Sequence, residues 1–96
     1  MNIDVSGIHC EIDDEIRSYI DKRLHRIDYA QVNIIDLIIK IIKEKKGYKF
    51  EAAINFKWGN SAFMKQEAFD LHEGIDKLVD KIDLKVKKEK DKVKDH

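Results

Sequence analysis

The residues of this chain best suited to act on another molecule are lysines, and they recur at helical spacing. In "DLHEGIDKLVDKIDLKVKKEKDKVKDH", the closing stretch, Lys77, Lys81, Lys85, Lys88 and Lys92 follow one another at three- and four-residue intervals. At about 100° per residue they form one stripe about 80° wide that runs roughly 22 Å along a helix axis. Such a row is either a solvated face paired with acids at the same spacing or a track of phosphate contacts. A second basic group lies upstream, where Lys22, His25 and Arg26 fall together and Arg23 projects from an apolar stripe between Tyr19 and Ile27. Arg23 either snorkels past the sheet edge or caps the core while presenting its guanidinium to a phosphate. With both helices on one sheet face, the two basic rows are expected to line a shared groove suited to an RNA backbone.

Other chemistries find no support in the spacing. Cys10 beside His9 is a sequence neighbour rather than a spaced nucleophile and base, and a lone cysteine is more often a small core residue. The four histidines, at 9, 25, 72 and 96, show no zinc-ligand spacing. No glycine-rich phosphate loop is present. No catalytic residue, cofactor or metal is therefore expected, and the protein is expected not to be an enzyme.

These lysines must be positioned by a small fold. The 96 residues fit a single domain, 1–96, with one core. Apolar residues make up 43% and charged residues 40%, with 19 basic against 19 acidic side chains. A formal net charge of zero gives no whole-molecule attraction to nucleic acid or membrane, so any electrostatic function must come from sorting charges onto separate faces. One cysteine forms no internal disulfide, and the absence of a secretory or long apolar segment leads to the expectation of a cytoplasmic, soluble protein.

Alternation in "NIDVSG" predicts a first strand that stops at Gly7. Asp13, followed by Asp14 and Glu15, caps a helix whose apolar positions Ile16, Tyr19, Ile20, Leu24 and Ile27 carry it to about Asp28. Residues 32–43 form a long strand with Ile35, Leu37, Ile39 and Ile41 on its core face and Ile34, Ile38 and Ile42 on the other. A turn at "EKKGY" leads into a strand alternating Tyr48, Phe50, Ala52, Ile54, Phe56 and Trp58 with charges and small residues. Gly59-Asn60 then forms a two-residue hairpin loop into a fourth strand, from about Ser61 to Phe69.

Asp70 with Glu73 is a capping box that opens the last helix. On that helix Ile75, Leu78, Val79, Ile82, Val86 and Val93 form the docking stripe, and Asp76, Asp80, Asp83 and Asp91 a third, acidic one. The predicted class is α+β with order β-α-β-β-β-α: a four-stranded mixed sheet with two helices on one face. The aromatics share the parity of Ile54, which places them in the core under the helices rather than on an open base-stacking face.

Taken with this order, "VSGIHCEIDDEIRSYIDKRLHRID" and "DLHEGIDKLVDKIDLKVKKEKDKVKDH" resemble the bacterial ribosome hibernation promoting factor and ribosome-associated inhibitor family. The most specific parts are the glycine and Glu-Ile after the first strand, the positions of Arg23 and Arg26, and the "D-L-x-x-x-I-D-x-L-x-D-K" entry to the last helix. The resemblance implies a fold similar to a double-stranded-RNA-binding domain with an added first strand. It also implies a seat on the small ribosomal subunit, in the channel of messenger and transfer RNA, and silencing of the ribosome by steric occlusion under stress or in stationary phase. In the family the basic helix faces hold ribosomal RNA, which carries over to Arg23, Arg26, Lys77, Lys81, Lys85, Lys88 and Lys92, with Lys22 added from the residue reading. The partners implied are 16S ribosomal RNA and neighbouring ribosomal proteins, without DNA or membrane, and the free protein is expected to be a monomer. The chain resembles the short form, without the C-terminal domain that pairs ribosomes. Lacking an acidic tail, it leans toward the branch that promotes ribosome dimers with a separate modulation factor. Two other functions stay open from the residues alone: a protein-interaction module using Ile34, Ile38 and Ile42 on the open sheet face, and a general binder of double-stranded RNA.

Overall fold

The computed structural model describes residues 1–94, and the side chains of Val93 and Lys94 lie outside what it describes, as does His96. Along the chain come β1 (Asn2–Ile8), α1 (Asp14–Leu24), a run of 3-10 turns (His25–Asn33), β2 (Ile34–Glu44), β3 (Gly47–Phe56), β4 (Ser61–Ala68) and α2 (Leu71–Lys94). The strands lie in the order β1-β2-β3-β4. β1 runs parallel to β2, and both β2–β3 and β3–β4 are antiparallel. The expected mixed sheet with helices on one face is what forms.

Local chemistry accounts for the element ends. Asp13 accepts a hydrogen bond from the Ile16 backbone N–H at 2.9 Å, and Asp70 accepts one from Glu73 N–H at 2.9 Å. These are the N-caps expected of such side chains, each worth about 1 kcal/mol. The Glu73 carboxylate pairs forward with Lys77 at 2.8 Å. At the other end, α1 is shorter than its apolar periodicity suggested. It closes at Leu24 and continues as 3-10 turns interrupted at Ile27 (φ −106°, ψ 15°). The tighter turns keep Ile27 and Ala30 fully buried while redirecting the chain into β2.

Two details of strand register differ from simple alternation. The pairing of β2 with β3 shifts between Ile34, opposite Phe56, and Asp36, opposite Asn55. The extra residue is Ile35, which turns outward at 46% exposure, while Ile34 enters the core at 1%. Ile35 is therefore not a core residue, and Ile34 is not on the open face. That leaves Ile38 and Ile42, both half-buried, as the open-face isoleucines of the strand. The β3–β4 connection is also longer than two residues. Phe56 N–H donates to Asn60 C=O at 2.9 Å and Gly59 N–H to Phe56 C=O at 3.1 Å, with Gly59 at φ +96°. This is a three-residue loop, a turn followed by a left-handed glycine, which suits the right-handed twist of the flanking strands.

The core lies between the sheet and the helices. Phe50, Ala52, Ile54 and Phe56 of β3 meet Ile16, Ile20 and Leu24 of α1 and Ile75, Leu78, Val79, Ile82 and Val86 of α2, all buried. The aromatics of β3 are core residues: Phe50 and Phe56 are at 0% and 1% exposure, and half-buried Trp58 stacks on Phe56 with centroids 4.9 Å apart. Each buried phenylalanine contributes about 1.5–3 kcal/mol of transfer free energy. Gly74 sits directly on the Phe50 ring, so that a Cβ there would overlap it. Gly74→Ala is expected to destabilise the fold by about 1–3 kcal/mol through overpacking, despite alanine's higher helix propensity. Urea unfolding of the two proteins measures the difference; equal midpoints would mean that the ring has room to move.

Candidate nucleic-acid interface

The rotation of α2 about its axis distributes its three stripes. With the apolar stripe buried on the sheet, the acidic stripe faces α1 and the 3-10 turns, and the lysine stripe faces the opposite way, over the edge strand β4. Lys81 Nζ donates to the Lys65 backbone C=O in β4 at 2.6 Å. Lys81, Lys85 and Lys88 border a shallow concavity of about 270 Å³ together with Phe63, Met64 and Leu84. Lys77 borders a neighbouring recess lined also by Glu44, Glu67, Phe69 and Glu73. The five predicted lysines thus share one flank of the helix.

Lys22, Arg23 and Arg26 do not join them in a shared groove. Arg23 lies beside Asp76 at 2.9 Å and donates to the Tyr19 hydroxyl, which itself donates to Asp76 at 2.7 Å. Arg26 pairs with both Asp80 and Asp83, reaching Asp83 at 3.1 Å. The seam between the helices is therefore an arginine–aspartate clasp. Lys22 lies on the outer side of α1, in a shallow cleft with Glu15, Ser18, Asp21 and His25. The groove expected from two basic rows does not form, because the apolar stripe of α2 turns its acids, not its lysines, toward α1.

Two acids of α2 organise this surface, and their roles were not apparent in the sequence. Asp83 is buried, at 6% exposure, and accepts from the Tyr29 hydroxyl at 2.6 Å, from Arg26 and from Lys87 at 3.3 Å. Burial alone would raise its pKa; the hydrogen bonds from Tyr29, Lys87 and Arg26 outweigh it and hold the carboxyl below its ordinary value. Burial, with the same Asp83 bond, pushes the Tyr29 phenol up. Glu89, at 4% exposure, falls on the apolar stripe of the wheel, which was the one available sign of its burial. It pairs with Lys85 at 3.3 Å and Lys92 at 3.5 Å, and accepts from Asn60 of the β3–β4 loop at 3.5 Å. Burial works against its charge, yet Lys85, Asn60 and Lys92 keep its pKa lowered. Lys85 and Lys92 are thus held in place by a buried carboxylate, whereas Lys81 and Lys88 have no carboxylate within 4 Å among the described residues.

Among the described residues, no three His, Cys, Asp or Glu side chains converge as a metal-holding group, and no helix is long and apolar enough to cross a membrane. Cys10 is half-buried, with its thiol directed at the Ile41 carbonyl at 3.3 Å.

Fold and lysine flank together define a small α+β domain of the β-α-β-β-β-α class. The sequence matches the family described as sigma 54 modulation protein / S30EA ribosomal protein over residues 3–94. The chain belongs to that family. It is 31% identical over 94 residues to the ribosome hibernation promoting factor of Pseudomonas putida, covering 96% of this chain and 89% of that one. It is 24% identical over 98 residues to the factor of the same name from Escherichia coli, covering both chains completely. Among solved structures, it resembles the N-terminal domain of Thermus thermophilus Protein Y (30% identity, TM-score 0.81, 92% of this chain and 98% of that one). A ribosomal subunit interface protein from Coxiella burnetii shares the fold (24% identity, TM-score 0.85, 94% and 98% coverage).

The depressed pKa of Asp83 has a direction in pH. Its contribution to stability is complete above the unfolded value, about 3.9, and is lost as pH falls through the lower folded value. Asp83→Asn is expected to lower stability at neutral pH by about 1–3 kcal/mol and to flatten the acid limb. Urea midpoints measured from pH 6 to pH 2 test this. Parallel pH curves for the two proteins would show that the Asp83 charge does not couple to folding.

Proposed function

We propose that this chain is a ribosome hibernation factor. It acts in the cytoplasm as a free monomer that docks on the small ribosomal subunit, in the channel of messenger and transfer RNA. There it silences translation under stress or in stationary phase by occupying space, without catalysing a reaction. Family membership supports this reading, and so do the names of the relatives from Pseudomonas putida and Escherichia coli.

The observation that carries the mechanism is the one-sided lysine row. Lys77, Lys81, Lys85, Lys88 and Lys92 hold phosphates of 16S ribosomal RNA, and neutralising several phosphates releases counterions and drives binding. Zero net charge is no obstacle, because Arg23 and Arg26 already neutralise the aspartates on the opposite flank. Their side chains remain about half exposed, at 47% and 49%, and add RNA contacts by sharing donors with those aspartates. Together with Lys22 they rank behind the lysine row.

Charge reversal tests this, and Lys81 with Lys88 is the informative pair, since reversing Lys85 would set a second acid against buried Glu89. Lys81→Glu with Lys88→Glu is expected to fold as wild type does and to lose at least about tenfold in affinity for purified bacterial small subunits. Wild-type binding is expected to weaken by orders of magnitude between about 50 and 200 mM salt. Sucrose-gradient co-sedimentation at two salt concentrations reads both effects. A double variant that still travels with the subunit would remove the lysine row from the mechanism.

A further inference from the structure

Phe63 is a large aromatic side chain that the core does not use. It stands at 60% exposure on β4, the edge strand, and points away from the helices in the row Ile38, Ala53, Phe63 across the open sheet face. Because β4 is the last strand, Phe63 also borders the concavity between β4 and α2, together with Met64, Lys81, Leu84, Lys85 and Lys88. Lys65 Nζ lies 5.7 Å from the ring centroid, within cation–π range, so the ring already holds a cation over its π face.

Of the exposed aromatics, Phe63 is the one whose concavity is lined by lysines and by no acid. Phe69 is more exposed, at 80%, but its recess mixes Lys46 and Lys77 with Glu44, Glu67 and Glu73, and Glu73 already pairs with Lys77 at 2.8 Å. Tyr29 has its hydroxyl committed to Asp83 and Lys90 over its ring at 5.2 Å. Around Phe63, by contrast, Lys65, Lys81 and Lys88 have no carboxylate within 4 Å among the described residues. A flat apolar ring bordered by unmatched ammonium groups is complementary to a nucleotide, with a π surface for the base and cations for its phosphates.

We propose that Phe63 is a stacking platform for one unpaired base of the RNA strand, with Lys81, Lys85 and Lys88 gripping the phosphates on either side. This rests on the reading of the lysine row as an RNA contact and adds to it a preference for single-stranded over duplex segments. In a duplex the bases are already stacked on their neighbours and present no free face to the ring. Lys65 leaves the ring when the base arrives and moves to a phosphate.

The test separates base from charge. Wild type, Phe63→Ala, Phe63→Leu, Phe63→Trp and the Lys81→Glu/Lys88→Glu pair are titrated against octauridylate RNA, against heparin as a polyanion without bases, and against purified small subunits, with circular dichroism to confirm folding. Phe63→Ala and Phe63→Leu are expected to lose about tenfold in affinity for octauridylate and to bind heparin unchanged. Phe63→Trp keeps or tightens RNA binding, and the lysine pair weakens binding to both polyanions. Ultraviolet crosslinking of wild type to octauridylate is expected to mark the peptide containing Phe63. Equal octauridylate affinity for wild type and Phe63→Ala, or for wild type and Phe63→Leu, overturns the stacking role. So does a Phe63→Ala loss confined to small subunits, which would place a ribosomal protein on the ring. If wild type fails to bind small subunits at all, the parent reading falls, and the stacking role falls with it. If wild type binds them and the lysine pair releases them, while Phe63→Ala keeps full octauridylate affinity, only the stacking role is lost.

Discussion

Burial of one stripe of α2 against β3 sets the orientation of everything on its surface. Ile75, Leu78, Val79, Ile82 and Val86 leave water together by packing against the sheet and its two buried phenylalanines. Several such side chains at about 1.5–3 kcal/mol each outweigh any surface ion pair, which is worth at most about 1 kcal/mol. Helix rotation is therefore decided by the apolar side, and the charged stripes go where that rotation carries them. Gly74 sharpens the fit by letting the first turn of the helix rest directly on the Phe50 ring.

Given that rotation, the acids of α2 would form a negative flank if left alone. Instead Asp76, Asp80 and Asp83 meet Arg23, Arg26 and the hydroxyls of Tyr19 and Tyr29. A helix with its side chains is about 10–12 Å across, close to the Debye length of about 8 Å at physiological ionic strength. Pairing at the seam and screening across the helix together leave the lysine flank little offset by the acids behind it. A molecule with no net charge can in this way present a locally cationic surface. The arginines that looked like a second basic row serve first to neutralise acids.

Buried Glu89 has a related part on the lysine side. A carboxylate on the apolar stripe is expensive unless paired, and its partners are Lys85, Lys92 and an asparagine of the β3–β4 loop. This holds two lysines in fixed positions and joins the distal half of α2 to the sheet. Lys81, pinned on the β4 backbone, and Lys88 carry charge that no described carboxylate answers. The row is thus a mixture of anchored and available ammonium groups rather than five equivalent ones.

Element order, both N-caps, the burial of Phe50 and Phe56 and the grouping of α2 into three stripes were all legible in the sequence, because each depends on local periodicity and capping chemistry. Family membership was legible too, from motifs spread over most of the chain. What the sequence could not determine was which neighbour each stripe would face. Period-two alternation cannot reveal the bulge at Ile35, since one inserted residue exchanges Ile34 and Ile35 between faces without changing composition. A helical wheel likewise places the lysines and aspartates on separate flanks but does not say on which side α1 will lie. Sheet order and crossover settle that, and they put Arg23 and Arg26 against acids and Phe63 beside lysines. The pairs of Arg26 with Asp80 and Asp83 join residues 54 and 57 positions apart, a separation over which only the packed tertiary structure can choose partners.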